Sequence, residues 1–384
     1  MIRQNTEPET RRGGRRTERP ALGVAVGIAV LAVLLATPSL AMSQAPPSPN
    51  PGDTVMTVTK VEFAGQVVVP TGTVFDDTEI GGLSSITYDE RRGVYYTISD
   101  DQGNRPGGDP VRYYTVAIDL TDGTLDDGDL VFTDTTTLLD GTGQPYAPGG
   151  LDPEGLAMVG PGRFFVSSEG NTLADPIIQP FIRRYNRDGR VTAELPVPEY
   201  YRPNGTDRGF RFNLGFESLN VTPDRKHLVT AGEAALAQDG PAATFDNGSL
   251  ARILVYDVAR REPISEFVYE VDPWAEPSAV FGVNGIVEVL PVDNAGTILV
   301  MERSFSVGGV LGGGTGNVVL INEISTAGAT DTLGIDALYE NGAPVAVTPV
   351  SERLVFAFDD LGLPIDNIEG MTWGRRCPTA AAVW

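Results

Sequence analysis

From Val58 onward the chain is built of short apolar runs, alternating or β-branched, separated by Gly, Asp, Asn and Pro. No stretch keeps an i, i+3, i+4, i+7 apolar pattern over three turns, so the pattern predicts an all-β fold. The pattern also repeats. Five segments share one plan: a Gly or acidic lead-in, an apolar strand, a tight polar turn, and a second apolar strand ending in an acid. They are GGLSSITYDERRGVYYTISDD (81–101), LDPEGLAMVGPGRFFVSSEGN (151–171), LGFESLNVTPDRKHLVTAGE (214–233), GVNGIVEVLPVDNAGTILVMER (282–303) and DNIEGMTWG (366–374).

With Ser84, Glu154, Glu217, Asn284 and Glu369 taken as equivalent, the intervals are 70, 63, 67 and 85 residues. Two further strands fit between successive hairpins, for example 112–119 with 130–138 and 252–258 with 265–271. Four antiparallel strands per interval make one blade of a β-propeller, with the repeated hairpin as its two inner strands. A β-sandwich of about seven strands would not repeat its inner hairpin in this way. The count predicts five blades, and the longest interval leaves room for a sixth. The strand at 58–69 is expected to join the last blade and close the ring, which removes free sheet edges.

Strand direction turns the repeat into a candidate site. The start of each first strand and the end of each second strand fall at one mouth of the central channel. The starts supply Glu154, Glu217 and Glu369, with Ser84 and Asn284 at matching places. The ends supply Asp100, Asp101, Glu169, Glu233, and the pair Glu302 and Arg303. Carboxylates converging on one opening raise each other's pKa unless a cation lies between them. Arg303, Arg211 and Arg184 are expected to offset part of the repulsion, and calcium, satisfied by carboxylate and amide oxygens, is expected to offset the rest. The plainer alternative is that these acids hydrogen-bond to neighbouring blades and hold the ring together.

Composition narrows the chemistry. Lys and Arg number 28 against 51 Asp and Glu, a net charge of −23, with one His and one Cys. A Ser-His-Asp hydrolase would have to use His227, which falls in a turn at the opposite end from the carboxylates. A structural zinc site needs about four Cys or His ligands, and no disulfide can form within one chain. An acidic protein is a poor partner for nucleic acid. The first 41 residues read as an export signal: five Arg between positions 11 and 19, an apolar run over 21–36, and a small-x-small site at Ser39-Leu40-Ala41. The apolar run is shorter than the ~20 residues of a membrane span. An uncleaved anchor is the alternative to cleavage. Removal of 1–41 takes away six Arg and three Glu and leaves a net −26. A Pro-rich linker follows at 42–53, then the propeller domain over 54–374. The exported chain is expected to be a secreted or periplasmic monomer, without stable membrane insertion, acting on a small ester or phosphate ester.

Other motifs carry less. The Asp-rich stretches 100–104 and 122–129 lack EF-hand spacing and read as surface turns. Gly308–Gly316 lacks the Lys of a P-loop and reads as a loop beside the mouth.

The elements GGLSSITYD…YYTISDD, LDPEGLAM…FFVSSEGN, FESLNVTPD…LVTAGE and LGLPIDNIEGMTWG resemble the phytase-like family described as having esterase-like activity. The resemblance implies an exported propeller distantly similar to alkaline phytases, which use calcium to bind enzyme and phosphate ester together. Carried over by position, it implies a metal or substrate ring of Glu154, Glu169, Glu217, Glu233 and Glu369. One departure is visible: RRCPTAAAVW (375–384) reads as neither of the strands that complete the family's last blade, so a truncated or frameshifted end and an incomplete blade are expected. The leading functional expectation is a calcium-assisted phosphoesterase. The rivals are a non-catalytic binding propeller and a calcium-dependent carboxylic-ester or lactone hydrolase.

Overall fold

The computed structural model describes residues 29–40, 54–104, 108–375 and 382–383. In chain order its strands are β1 (Ala29–Leu40), β2 (Met56–Val69), β3 (Val74–Phe75), β4 (Thr78–Glu79), β5 (Leu83–Asp89), β6 (Val94–Ser99), β7 (Arg112–Ile118), β8 (Leu130–Thr137), β9 (Pro153–Gly160), β10 (Arg163–Ser168), β11 (Phe181–Asn186) and β12 (Val191–Leu195). They continue with β13 (Phe216–Val221), β14 (His227–Gly232), β15 (Ser249–Asp257), β16 (Glu262–Val271), β17 (Gly282–Pro291), β18 (Thr297–Ser306), β19 (Asn317–Ser325), β20 (Tyr339–Glu340), β21 (Ala343–Pro344), β22 (Ser351–Ala357) and β23 (Ala382–Val383).

Four sheets each hold four antiparallel strands: β5-β6-β7-β8, β9-β10-β11-β12, β13-β14-β15-β16 and β17-β18-β19-β22. The first strand of each is innermost, since β5 packs on β9, β9 on β13 and β13 on β17. This is the all-β propeller that the repeat predicts. Large apolar cores lie between blades, as where Phe165, Phe216, Leu219 and Tyr256 join blades two and three.

The blade count differs in detail from the expected five. Four blades are complete among the described residues. The fifth hairpin segment, 366–374, enters no sheet and lies between blades four and one, where Met371 and Ile365 pack with Val287 and Leu290. No sixth blade fills the long interval. Its last regular strand, β22, is the outer strand of blade four, and the excursion before it runs along blade three, with Thr332 N–H bonded to Glu266 O.

The strand expected at 58–69 joins no blade: the outer strand of blade four is β22, and β2 pairs with β1 in a separate sheet and only packs against blade four. Val58 joins the core of blade four, and its N–H reaches Glu323 Oε2 at 2.5 Å. At its other end Leu125 N–H bonds to Ala64 O in blade one. Within the segment expected as an export signal, residues 29–40 run as β1 along β2, from Ala29 opposite Val69 to Leu40 opposite Met56. β23 pairs with β1 in turn. Residues 1–28, the linker at 42–53 and Cys377 lie outside the described residues. Among the described residues no helix is long and apolar enough to cross a membrane.

Candidate functional site

One backbone bond recurs where the inner hairpins of blades one to three reach the mouth. The residue just after the second strand donates its N–H to the lead-in of the first: Asp100 to Gly82 O, Glu169 to Asp152 O and Glu233 to Gly215 O. This fixes the acid at the end of the second strand beside the start of the first. A register shift then falls on the start itself, between Leu83 and Ser85 in blade one, between Pro153 and Leu156 in blade two, and between Phe216 and Ser218 in blade three. A bulge re-aims the side chain it carries. It is what places Glu154 and Glu217 at the channel.

The position after each start is small in every repeat: Ser85, Gly155, Ser218, Gly285 and Gly370. Close approach of neighbouring inner strands is the reason. A Cβ on Gly155 would lie 2.4 Å from Leu219 Cβ, and one on Gly285 would lie 2.3 Å from Glu233 Cγ. Gly285→Ala must therefore displace Glu233. A calcium titration followed by thermal shift should show weaker stabilisation in this variant, and an unchanged titration would contradict the assignment of Glu233 to the site.

Two groups of carboxylates result. Asp152, Glu154 and Glu169 offer oxygens that all lie within 4.8 Å of one another, and so do Glu169, Glu217 and Glu233. Glu169 belongs to both. Its Oε1 also accepts the Gly215 N–H at 2.5 Å. The four glutamates are buried. Arg303 reaches in from blade four, with Nη2 3.3 Å from Glu233 Oε1 and Nη1 on Glu369 and Asn367. Its Nε is buried without a hydrogen-bond partner.

The electrostatics follow from this crowding. Burial raises Asp152 to about 6. Burial, then the charges of Asp152 and Glu233, raises Glu169 to about 8. Glu154 and Glu217 are pushed well above the ordinary carboxylate range by burial and by each other's neighbours. Glu233 is raised by burial, though the Arg303 charge opposes this. Burial works against the Arg303 charge, but Glu369, Glu233 and Glu217 outweigh it and raise its pKa. Without a second cation, Glu154, Glu169, Glu217 and Glu233 hold their protons to higher pH than ordinary carboxylates do. Hard carboxylate oxygens gathered this closely are the donor set that a calcium-sized ion requires, so the residues fit the ion expected from sequence.

Several expected site residues lie elsewhere. Asp101 faces Arg112, 3.3 Å from its Nη1, and accepts the Gly103 N–H. Glu302 and Asn284 turn away from the ring together: Asn284 Nδ2 donates to Glu302 Oε2 at 2.8 Å, and Tyr269 O–H and Asp272 N–H donate to the same carboxylate. Glu302 and Arg303 are successive residues of β18 and face opposite sides, so blade four sends Arg303 to the ring, and the bulge of β17 falls between Ile286 and Glu288, beyond Asn284. Arg184 lies on the third strand of blade two and donates to Thr192 Oγ1. Arg211 donates to the carbonyls of Ala235 and Gly240 and faces no ring carboxylate. Asp100 stays close enough for its charge to raise Glu154.

Two residues escaped the sequence reading. Asp152 stands in the same D-x-E-G motif as Glu154, and its i+2 spacing on a strand was the available signal. Glu288 had none. It is fully buried below the ring, where its Oε1 accepts its neighbour Val289's N–H, its Oε2 lies 3.5 Å from Ser85 Oγ, and burial pushes its pKa well up. Beside it, Asn220 Nδ2 donates to Met371 O across the channel.

The sequence model of the phytase-like family, described as "esterase-like activity of phytase", matches residues 78–383. An uncharacterized secreted protein of Arthroderma benhamiae is 27% identical over 154 residues, which are 33% of this chain and 28% of that protein. The chain thus spans under a third of that relative's length. Among solved structures, the periplasmic gluconolactonase PpgL of Pseudomonas aeruginosa is 13% identical, with a TM-score of 0.33 over 85% of this chain and 99% of that one. The hydrazine synthase of Kuenenia stuttgartiensis is 12% identical, with a TM-score of 0.32 over 71% of this chain and 49% of that one. With the family's sequence model matching most of its length, and its repeated acids gathered at one end of a propeller, this chain belongs to the phytase-like family.

Proposed function

We propose that this chain is an exported, calcium-assisted ester hydrolase, a phosphoesterase first, acting as a monomer at the mouth of the propeller. The observation that carries the reading is the pair of carboxylate triplets sharing Glu169. Asp152, Glu154, Glu169, Glu217 and Glu233 would hold the ion. When bound, calcium supplies polarisation of the ester and neutralises charge that develops on its oxygens. Arg303 binds an ester oxygen through its planar fork, held in place by Glu233 and Glu369. Glu369 belongs to neither triplet and takes the proton of the attacking water. The polar plug of Asn220, Met371 and Glu288 closes the channel below, so substrate enters and leaves by the mouth. Export by cleavage after Ala41 would remove β1 and leave β2 on blade four.

The test is turnover of phytate, 4-nitrophenyl phosphate and short acyl esters by the purified protein, with and without EDTA. Turnover of the phosphate esters that EDTA abolishes is expected, and Glu169→Gln should lower it roughly 100-fold. Activity that survives EDTA would sink the metal-assisted reading. No turnover of any ester would leave a propeller that binds without catalysis.

A further inference from the structure

We infer that the mouth accepts an amphiphilic ester, with its head at Arg303 and an apolar chain along blade four. This rests on the ester-hydrolase reading above and narrows its substrate class.

The first observation is a cluster of exposed apolar side chains on the rim of blade four, where the other mouth loops expose Leu173, Phe212 and Phe245 singly. The loop entering β17 exposes Val280 (80%) and Phe281, and the loop leaving β18 exposes Val307, Val310 (74%) and Leu311. The two loops are one surface. Val307 N–H bonds to Phe281 O, Ser278 Oγ to Val307 O, and Leu311 N–H to Glu276 Oε2, each at 2.9 Å. Among the described residues, the turns at the opposite end of the disc expose no comparably large apolar side chain. Solvation of the loops in general therefore does not account for the rim.

The second observation is its position. β18 carries Arg303 and ends at Ser306, about 10 Å further along the strand at ~3.4 Å per residue. The rim loop is also tied to the segment carrying Glu369, through Ile365 N–H on Gly312 O and Thr315 Oγ1 on Ile365 O. An ester held at Arg303 thus has an apolar surface within the reach of a medium chain.

The third observation is charge. Among the described residues, Arg208 is engaged by Asp336 and Arg211 by carbonyls, while Arg202 lies 3.6 Å from Glu199 with its Nε left without a hydrogen-bond partner. Arg303 faces two carboxylates and has one buried donor, Nε, left over. A single ester oxygen suits that donor. A polyphosphate would bring several charges to an acidic rim on which, among the described residues, Arg208 and Arg211 are already engaged.

The experiment uses the full chain with calcium and two series below their micelle concentrations: 4-nitrophenyl alkanoates from acetate to decanoate, and alkyl phosphates from ethyl to decyl. kcat/KM should rise about twofold per methylene, as expected for chains half-buried on an open surface. The Val310→Ser/Leu311→Ser double variant should flatten the rise and leave the rate on the acetate ester unchanged. A flat series in the wild type, the same slope in the variant, or phytate as the best substrate would overturn the inference. If no ester is turned over, the hydrolase reading fails, and calorimetry with ethyl and decyl phosphate then decides the rim by itself. Decyl phosphate binding tenfold more tightly, with the gain lost in the double variant, would support the rim; equal affinities would refute it.

Discussion

Arg303→Met is expected to destabilise the calcium-free protein by about 3–5 kcal/mol, the usual cost of removing one partner from a buried charge pair. The arginine lies 3.3 Å from Glu233 Oε1 and contacts Glu369, so its loss leaves two carboxylates facing each other without a cation. Arg303→Lys keeps the charge but not the planar fork, and should recover at least half of the loss. Urea unfolding in EDTA at pH 8 measures both. Ester turnover should fall in both variants, because a Lys cannot present two parallel donors to a substrate oxygen and a carboxylate together. A Met variant as stable as the wild type would show that the carboxylates merely keep their protons, and that Arg303 has no structural part in the ring.

The second large effect is a reversed pH dependence. Asp152 moves from 3.8 to about 6 in the folded protein, and Glu169 from 4.5 to about 8. Between the lower and upper value of each pair, the folded state keeps a proton that the unfolded chain has released. Folding stability then falls as pH rises, by about 1.4 kcal/mol per pH unit for each such group. In EDTA the melting temperature should therefore drop by several degrees between pH 5 and pH 8. Ordinary paired carboxylates give the opposite trend over acid pH. Millimolar calcium should remove the slope, since the ion favours the ionised ring and adds binding energy to the folded state alone. A calcium-free protein equally stable at pH 5 and pH 8 would contradict the burial and mutual repulsion of these groups.

Much of this was legible in the sequence. The repeat interval identified the blade, and strand direction identified the end of the disc on which Glu154, Glu169, Glu217, Glu233 and Glu369 gather. The small residue after each strand start was visible too, although its reason, the closeness of adjacent inner strands, was not. The reading failed where a strand position alone does not fix the direction of a side chain. Asp101 and Glu302 occupy the expected ends of their hairpins, yet Arg112 draws one away and Tyr269 with Asn284 draws the other.

The sequence by itself determined the architecture, because blade formation depends on local alternation and turn chemistry repeated at a fixed interval. It determined which end of the propeller is acidic for the same reason. Tertiary structure alone decided which acids meet. One position along a strand turns a side chain to the other face, so bulges at the strand starts of blades two and three send Glu154 and Glu217 into the channel, while blade four sends Arg303 there and its neighbour Glu302 to Tyr269 and Asn284. It also placed Arg303 between Glu233 and Glu369, 70 and 66 residues apart in the chain, and set the apolar rim of blade four beside them. Those are distances between blades, and no pattern within one blade encodes them.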